Sequence, residues 1–470
     1  MRSFLQAAAL ASAVLCGSAY AADGELDPTF GTDAEFPGYG FYLNPNGAPD
    51  NTLDTVGAIV KRPDGKIWVI GRMKAPGAYR LSLYLVRENG YPETGFGDLG
   101  LRTVVAPCTD FTVGDATLDA QGRLVVAIDR CSDFMVYRFL PNGDLDTDLA
   151  GSGVLTVPFN QGGDNQDVSQ RVATTPEGNI IVAGSVTTAS VNQLGIAHFT
   201  ATGQPVPGFG NGGKVQMPFE WQVSEIFGVH GLGRMADGRI VVAGTLSETS
   251  QAVSDKKQFV VRLLANGNVD PSYGNVSPGI SKINLKSPLG VTQSPRTFGA
   301  MVEPNGSVIH VGSILSSQVS SSTDMFVLRW RPDGQLDTTI GAHGVRQYAL
   351  DFAGPNPSNP DHNGEGADRI VRQANGQYVI VGGSVIGDYY ATAVLRVNRD
   401  FSVDTRFGNG GKIQHLVQVS TNGQHGQGAS AVMLQPGRIT VGGSAFTGFN
   451  GRVQMMFGMQ HDEVFADPFD

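Results

Sequence analysis

A glycine-centred turn recurs seven times in this chain, and nothing else in the sequence limits its possible folds so tightly. The copies read RPDGKIWVIG from Arg62, DAQGRLVVAI from Asp119, TPEGNIIVAG from Thr175, MADGRIVVAG from Met235, EPNGSVIHVG from Glu303, QANGQYVIVG from Gln373 and LQPGRITVGG from Leu434. Their turn glycines, Gly65, Gly122, Gly178, Gly238, Gly306, Gly376 and Gly437, are spaced by 57, 56, 60, 68, 70 and 61 residues. Most copies place Asp-Gly, Asn-Gly or Glu-Gly between two apolar runs, and these residues tolerate the positive φ of a tight hairpin. The run after each turn is short, rich in Val and Ile, and ends on glycine in most copies. That pattern predicts a buried strand rather than a helix.

A third run follows each of these strands, such as LYLVR, FVVRL or FVLRW, and leads through a turn into G-x-[LV]-D-x-x-[FY]-G. A fourth short run comes next, for example GKVQMPF at 213 or GKIQHLV at 411. Four strands per unit, units of about 60 residues and no helical periodicity predict the blade of a β-propeller. The fold class expected is all-β, a seven-bladed propeller with four-stranded blades. The repeat resembles the delta-sixty repeat, a bacterial propeller family with an NHL-like layout, over about residues 24 to 460. That resemblance implies export and a propeller, without an activity. By analogy with NHL repeats, the strand before each turn is innermost and the strand after the Leu-Asp motif is outermost. The segment GELDPTFG at 24 and an outer strand near Gly38 to Leu43 then have no blade of their own, while the last unit lacks a fourth strand after RVQMMFGM at 452. The N-terminal strand is therefore expected to complete the last blade and close the ring.

The first 21 residues, MRSFLQAAALASAVLCGSAYA, read as a signal peptide cleaved after Ala21, so a periplasmic or secreted protein is expected. Residues 22–460 would form the propeller and 461–470 an acidic C-terminal tail. No other segment approaches the ~20 consecutive apolar residues of a membrane span. Without the leader the chain carries 32 basic and 43 acidic residues, a net charge of −11 that disfavours nucleic acid and anionic lipid as partners. A monomer is expected. Cys108 and Cys131 remain after the leader's Cys16 is removed, and an even pair in an oxidising compartment reads as one disulfide.

Arg138, Arg262, Arg329 and Arg396 each stand eight residues before Asp146, Asp270, Asp337 and Asp404, whereas one unit has His198 and Val206 at these places. Loss of both partners together suggests structural pairs that pin the third strand to the following turn. A calcium loop from Asn142, Asp144 and Asp146 would lack the sixth-position glycine and the closing glutamate.

Function is expected on the opposite face, where the connections are long and varied. Near the starts of the innermost strands acids recur: Asp54, Asp110, Asp167, Glu225, Glu365 and Asp368, with His362 and His425 on nearby loops. A ring of carboxylates at a propeller mouth could hold a divalent cation such as calcium, or a cationic ligand. The same acids could equally cap strands and solvate loops, and their offsets from the turn glycines are not constant. No G-x-S-x-G, H-E-x-x-H or phosphate-binding loop appears in a fitting context. The reading is an exported, non-catalytic scaffold without a cofactor that binds a protein, peptide or glycan; the alternative is a metal-dependent hydrolase or lyase at the mouth.

Overall fold

The structure, a computed structural model, describes residues 23–31, 39–42, 54–75, 78–106, 108, 110–129, 131–160, 167–188, 192–221, 228–247, 256–285, 295–315, 323–350, 364–386, 389–415, 427–446 and 452–460. The leader at 1–21 and the tail at 461–470 lie outside the described residues. The described residues form seven four-stranded antiparallel sheets and contain no helix. In blade 4 the strands are Val229–Arg234, Ile240–Ser247, Lys256–Leu263 and Ile280–Asn284, in sequence order from the axis outward.

The innermost strands of blades 1 to 7 are Thr55–Lys61, Thr112–Leu118, Val168–Thr174, Val229–Arg234, Arg296–Val302, Gly366–Arg372 and Gln427–Gln435. Each packs on the next, and the last packs on the first. Closure follows the expected route: Tyr39–Tyr42 pairs antiparallel with Arg452–Gln460, with Tyr39 opposite Phe457 and Tyr42 opposite Gln454. Asp27 N–H also donates to the Gly458 carbonyl at 2.9 Å.

The second strands read as unbroken apolar runs because both of their faces are covered by neighbouring blades. Ile67, Trp68, Val69 and Ile70 in blade 1 are all fully buried. Trp68 meets Phe96 edge-on at 5.2 Å, and Phe134 of blade 2 packs on Phe159 at 4.9 Å. Cys108, just beyond the outer strand of blade 1, is joined by a disulfide to Cys131 of blade 2, with a Cα–Cα distance of 5.5 Å.

Every innermost strand breaks register against its neighbour at one place. The breaks lie between Val56 and Ala58, Val113 and Asp115, Ser169 and Arg171, Val229 and Gly231, Thr297 and Gly299, Ala367 and Arg369, and Ala429 and Ala431. One extra residue per blade, a β-bulge, re-aims the side chains on either side of it. The bulge also explains the glycine that closes the apolar run of most second strands, which continue for several residues beyond it. A Cβ at Gly184, Gly244, Gly312 or Gly382 would stand 1.8, 2.2, 1.9 or 1.8 Å from the carbonyl oxygen of Val168, Gly228, Arg296 or Gly366. Blade 2 departs from this rule, with Ile128 at the corresponding position opposite Val113.

Candidate functional site

The two ends of the propeller differ in what their side chains do. At the turn end, the arginine of the third strand donates from Nε to the motif aspartate: Arg138 to Asp146 at 2.7 Å, Arg262 to Asp270 at 2.8 Å, Arg329 to Asp337 at 2.9 Å and Arg396 to Asp404 at 2.9 Å. Three of these guanidiniums also reach the next blade. Arg138 donates to the Ala201 carbonyl at 2.5 Å, Arg262 to that of Pro332 at 2.6 Å, and Arg396 to Asp23. Where the third-strand arginine is missing, a residue just before or at the start of the second strand takes over: Lys66 pairs with Glu93 at 3.1 Å in blade 1, and Arg438 Nε with Asp27 at 2.7 Å in blade 7. In blade 3, His198 instead lies edge-on to Phe209, and burial lowers its pKa to about 4. This end braces one blade to the next at three places through the third-strand guanidiniums.

At the other end, three of the expected mouth acids serve the backbone. Asp54 accepts from Lys74 N–H at 2.8 Å; Asp167 accepts from Thr187 N–H at 2.9 Å and Phe159 N–H at 3.2 Å; Glu365 accepts from Leu350 N–H at 2.8 Å. Each stands just ahead of an innermost strand and ties its start to the end of a neighbouring strand. All three are buried, and burial raises the Asp54 carboxyl to about 6. Asp110 is exposed and accepts from Arg72 Nη1 at 3.1 Å. Glu225, His362 and His425 lie outside the described residues. Among the described residues, no three metal-ligating side chains are grouped. Asp368 is placed elsewhere, on the axis.

The axial site is made by the bulges. The extra residues are Gly57, Gly114, Gln170, His230, Phe298, Asp368 and Ser430, and in the first six blades they stand eight residues before the turn glycine. Gln170, His230, Phe298 and Asp368 line a cavity of about 330 Å³ together with Arg171 and Arg369, the residues that follow two of the bulges. Small residues are needed elsewhere in this ring. A Cβ at Gly114 would stand 2.7 Å from the Ser169 carbonyl oxygen, and one at Gly57 2.7 Å from that of Val113.

Arg171 ties three blades together: Nε donates to the His230 carbonyl at 2.9 Å, and Nη1 to those of Gly114 at 3.0 Å and Gln170 at 2.6 Å. Arg369 donates from Nη1 to the Asp368 carbonyl at 2.9 Å and to that of Phe298 at 3.4 Å. Asp115 accepts from Val172 N–H at 3.2 Å and Ala116 N–H at 3.0 Å. Burial, aided by the charge of Arg369, lowers the Arg171 guanidinium to about 10. Burial raises the Asp368 carboxyl to about 7 despite Arg369 beside it. Burial and the two arginines push His230 well below its usual range, so its imidazole is neutral. Such an arrangement can bind and orient a charged group, and Asp368 can exchange a proton near neutrality.

Of this ring, the sequence reading included Asp368 alone. The signal that could have found the rest was the fixed offset of eight residues from the turn glycine, which also collects Gln170, His230 and Phe298.

Two segments, residues 236–273 and 373–407, match the family model described as "Domain of unknown function (DUF5122) beta-propeller". They run from the turn through the Leu-Asp motif of blades 4 and 6. No curated protein matches the chain. Among solved structures it is similar to polysaccharide lyase Uly1, with 10% identity, a TM-score of 0.47 and coverage of 94% of this chain and 97% of that one. Puromycin hydrolase gives 13% identity and a TM-score of 0.45 over 86% of this chain; the match spans about half of that protein, 53%. Streptogramin B lyase gives 11% identity and a TM-score of 0.39 over 89% of this chain and 98% of that one. By its seven blades, and by two of its repeats, the chain is similar to a propeller family of unknown function.

Proposed function

We propose that this is an exported, non-catalytic propeller of the delta-sixty type. It binds a protein, peptide or glycan at the face where the long connections emerge, with the axial cavity at the centre of the contact. The contrast between the two ends of the repeat carries this reading. The turn end spends its charged residues on bracing one blade to the next. At the bulges, one backbone geometry holds Gln170, His230, Phe298 and Asp368 in successive blades, four different chemistries facing one cavity. A rigid scaffold that varies its side chains at a single concave place is built to recognise something there.

The test is a screen of the purified protein against a glycan array and a displayed peptide library, followed by two variants. One replaces residues 351–363 and 416–426 with Gly-Ser segments of equal length; the other, Phe298→Trp, narrows the cavity. The expected result is a saturable, unaltered ligand whose binding both variants weaken at unchanged melting temperature. A ligand that survives both changes binds elsewhere and rejects the reading. Turnover of the ligand, dependent on a divalent cation, would instead establish a hydrolase or lyase at the mouth.

A further inference from the structure

We propose that the axial cavity holds one ligand carboxylate between Arg171 and Arg369, with the carboxyl group of Asp368 donating a hydrogen bond to it. The proposal rests on the cavity being the binding centre and adds the chemical group that it selects. Arg171 and Arg369 come from blades 3 and 6, three steps apart in a ring of seven, so they approach from opposite walls. Both spend Nη1 on backbone carbonyls. Among the described residues, Nη2 of Arg171 and both Nε and Nη2 of Arg369 have no acceptor, and neither oxygen of Asp368 has a donor. Two guanidiniums with spare donors at one small cavity suit a planar carboxylate, which accepts paired N–H bonds.

The charges around the cavity favour a ligand of low negative charge. Asp115 and Asp129 both interact with Arg171, burial pushes the Asp115 carboxyl up, and His230 is neutral. When protonated, Asp368 adds no negative charge of its own, and a monoanion is the least charge that accepts N–H bonds from both guanidiniums. A dianion such as phosphate overshoots, in a place where buried net charge is costly. Asp129 lines the same cavity. Asp129 accepts from Thr112 Oγ1 at 3.4 Å, and His310, which lies near His230, is held neutral by burial. The sign of the pH dependence follows. Asp368 titrates near 7, so rising pH turns a hydrogen-bond donor into a competing carboxylate and releases the ligand.

Calorimetric titrations with succinate monomethyl ester, sodium glucuronate, glucose and inorganic phosphate test this on the full-length mature protein. Both carboxylates are expected to bind at pH 5.5 and to weaken by roughly tenfold or more at pH 8.5, as Asp368 ionises. Arg369→Gln is expected to abolish this binding, with folding checked by thermal melting. Asp368→Asn keeps a donor at every pH and is expected to bind equally at both. Phosphate binding more tightly than either carboxylate overturns the monoanion. Glucose binding as tightly as glucuronate, unaffected by Arg369→Gln but blocked by Phe298→Trp, overturns the carboxylate while keeping the cavity as a binding centre. Binding of none of the four overturns the proposal, and the library ligand's response to Phe298→Trp then decides separately whether the cavity binds at all.

Discussion

Asp337 relies on Arg329 because blade 5 carries Ser307 where blades 2 and 4 carry Arg123 and Arg239, which add a second cation beside Asp146 and Asp270. That makes blade 5 the clean place to weigh the pair. Arg329→Ala is expected to cost about 1.5–3 kcal/mol, the range for a hydrogen bond to a charged group. Adding Asp337→Ala is expected to cost much less than its own single change, and denaturant unfolding of all four proteins measures the coupling. The carboxylates also set a pH optimum. Burial favours the neutral form of Asp270, but hydrogen bonds from Ser272 and the charges of Arg262 and Arg239 outweigh it and hold the carboxyl at about 2. Its contribution is present above the ordinary value of 3.8 and is lost as pH falls toward about 2. Asp54 has the opposite sign. Its carboxyl sits at about 6, so the folded protein binds the extra proton and loses stability as pH rises from about 4 to 6. The melting temperature is expected to fall on both sides of a maximum near the crossover. Asp54→Asn, which can still accept from Lys74 N–H, should flatten the decline on the alkaline side; an unaltered slope would show that Asp54 does not titrate there.

Within the blade, two adjacent glycines of one strand separate the requirement of the bulge from mere tolerance. A Cβ at Gly382 would stand 1.8 Å from the Gly366 carbonyl oxygen, whereas one at Gly383 would meet nothing within 4 Å. Gly382→Ala must therefore push the bulge aside and is expected to cost about 2–3 kcal/mol, as overpacked sites do. Gly383→Ala is expected to be neutral or to stabilise by up to about 1 kcal/mol, by restricting the unfolded chain. Thermal melting of the two variants decides it, and equal losses would mean that the bulge is not what selects glycine. The glycine after each apolar run was visible in the sequence as VAG, VIG and HVG, but its cause was not, nor that the strand continues past it. Hydrophobic alternation reports which face a strand buries; it does not report an extra residue inserted opposite a single partner. The bulge, and with it the axial placement of Arg171, His230 and Arg369, was for that reason hidden behind a legible strand. Asp54, Asp167 and Glu365 attracted notice as acids at a mouth because composition shows a carboxylate and conceals the backbone N–H it accepts from.

For the whole molecule, blade number and the closing strand were legible because both are matters of counting. Seven turns require seven sheets, and a last unit one strand short requires a strand from elsewhere. The disulfide from blade 1 to blade 2 and the arginine braces join neighbours around the ring, but closure depends on the N-terminal segment. That segment contributes more than a strand. Asp23 pairs with Arg396 of blade 6, Asp27 pairs with Arg438 of blade 7, and Phe30 is buried beneath the Arg438 guanidinium at 5.3 Å. Deleting residues 22–45 would leave Arg396, only 3% exposed, without one of its two carboxylates, and would bare the edge of Arg452–Gln460. An open strand edge beside a buried, under-paired arginine is a large penalty against a domain stability of about 5–15 kcal/mol. The truncated protein is expected to lose its cooperative melting transition in calorimetry and to aggregate through the open edge. A circular permutant that carries residues 22–45 after a flexible linker at the C-terminus should recover the transition, since the ring needs the strand and not its position in the chain. If the truncated protein melts as the intact one does, the N-terminal strand does not close the ring.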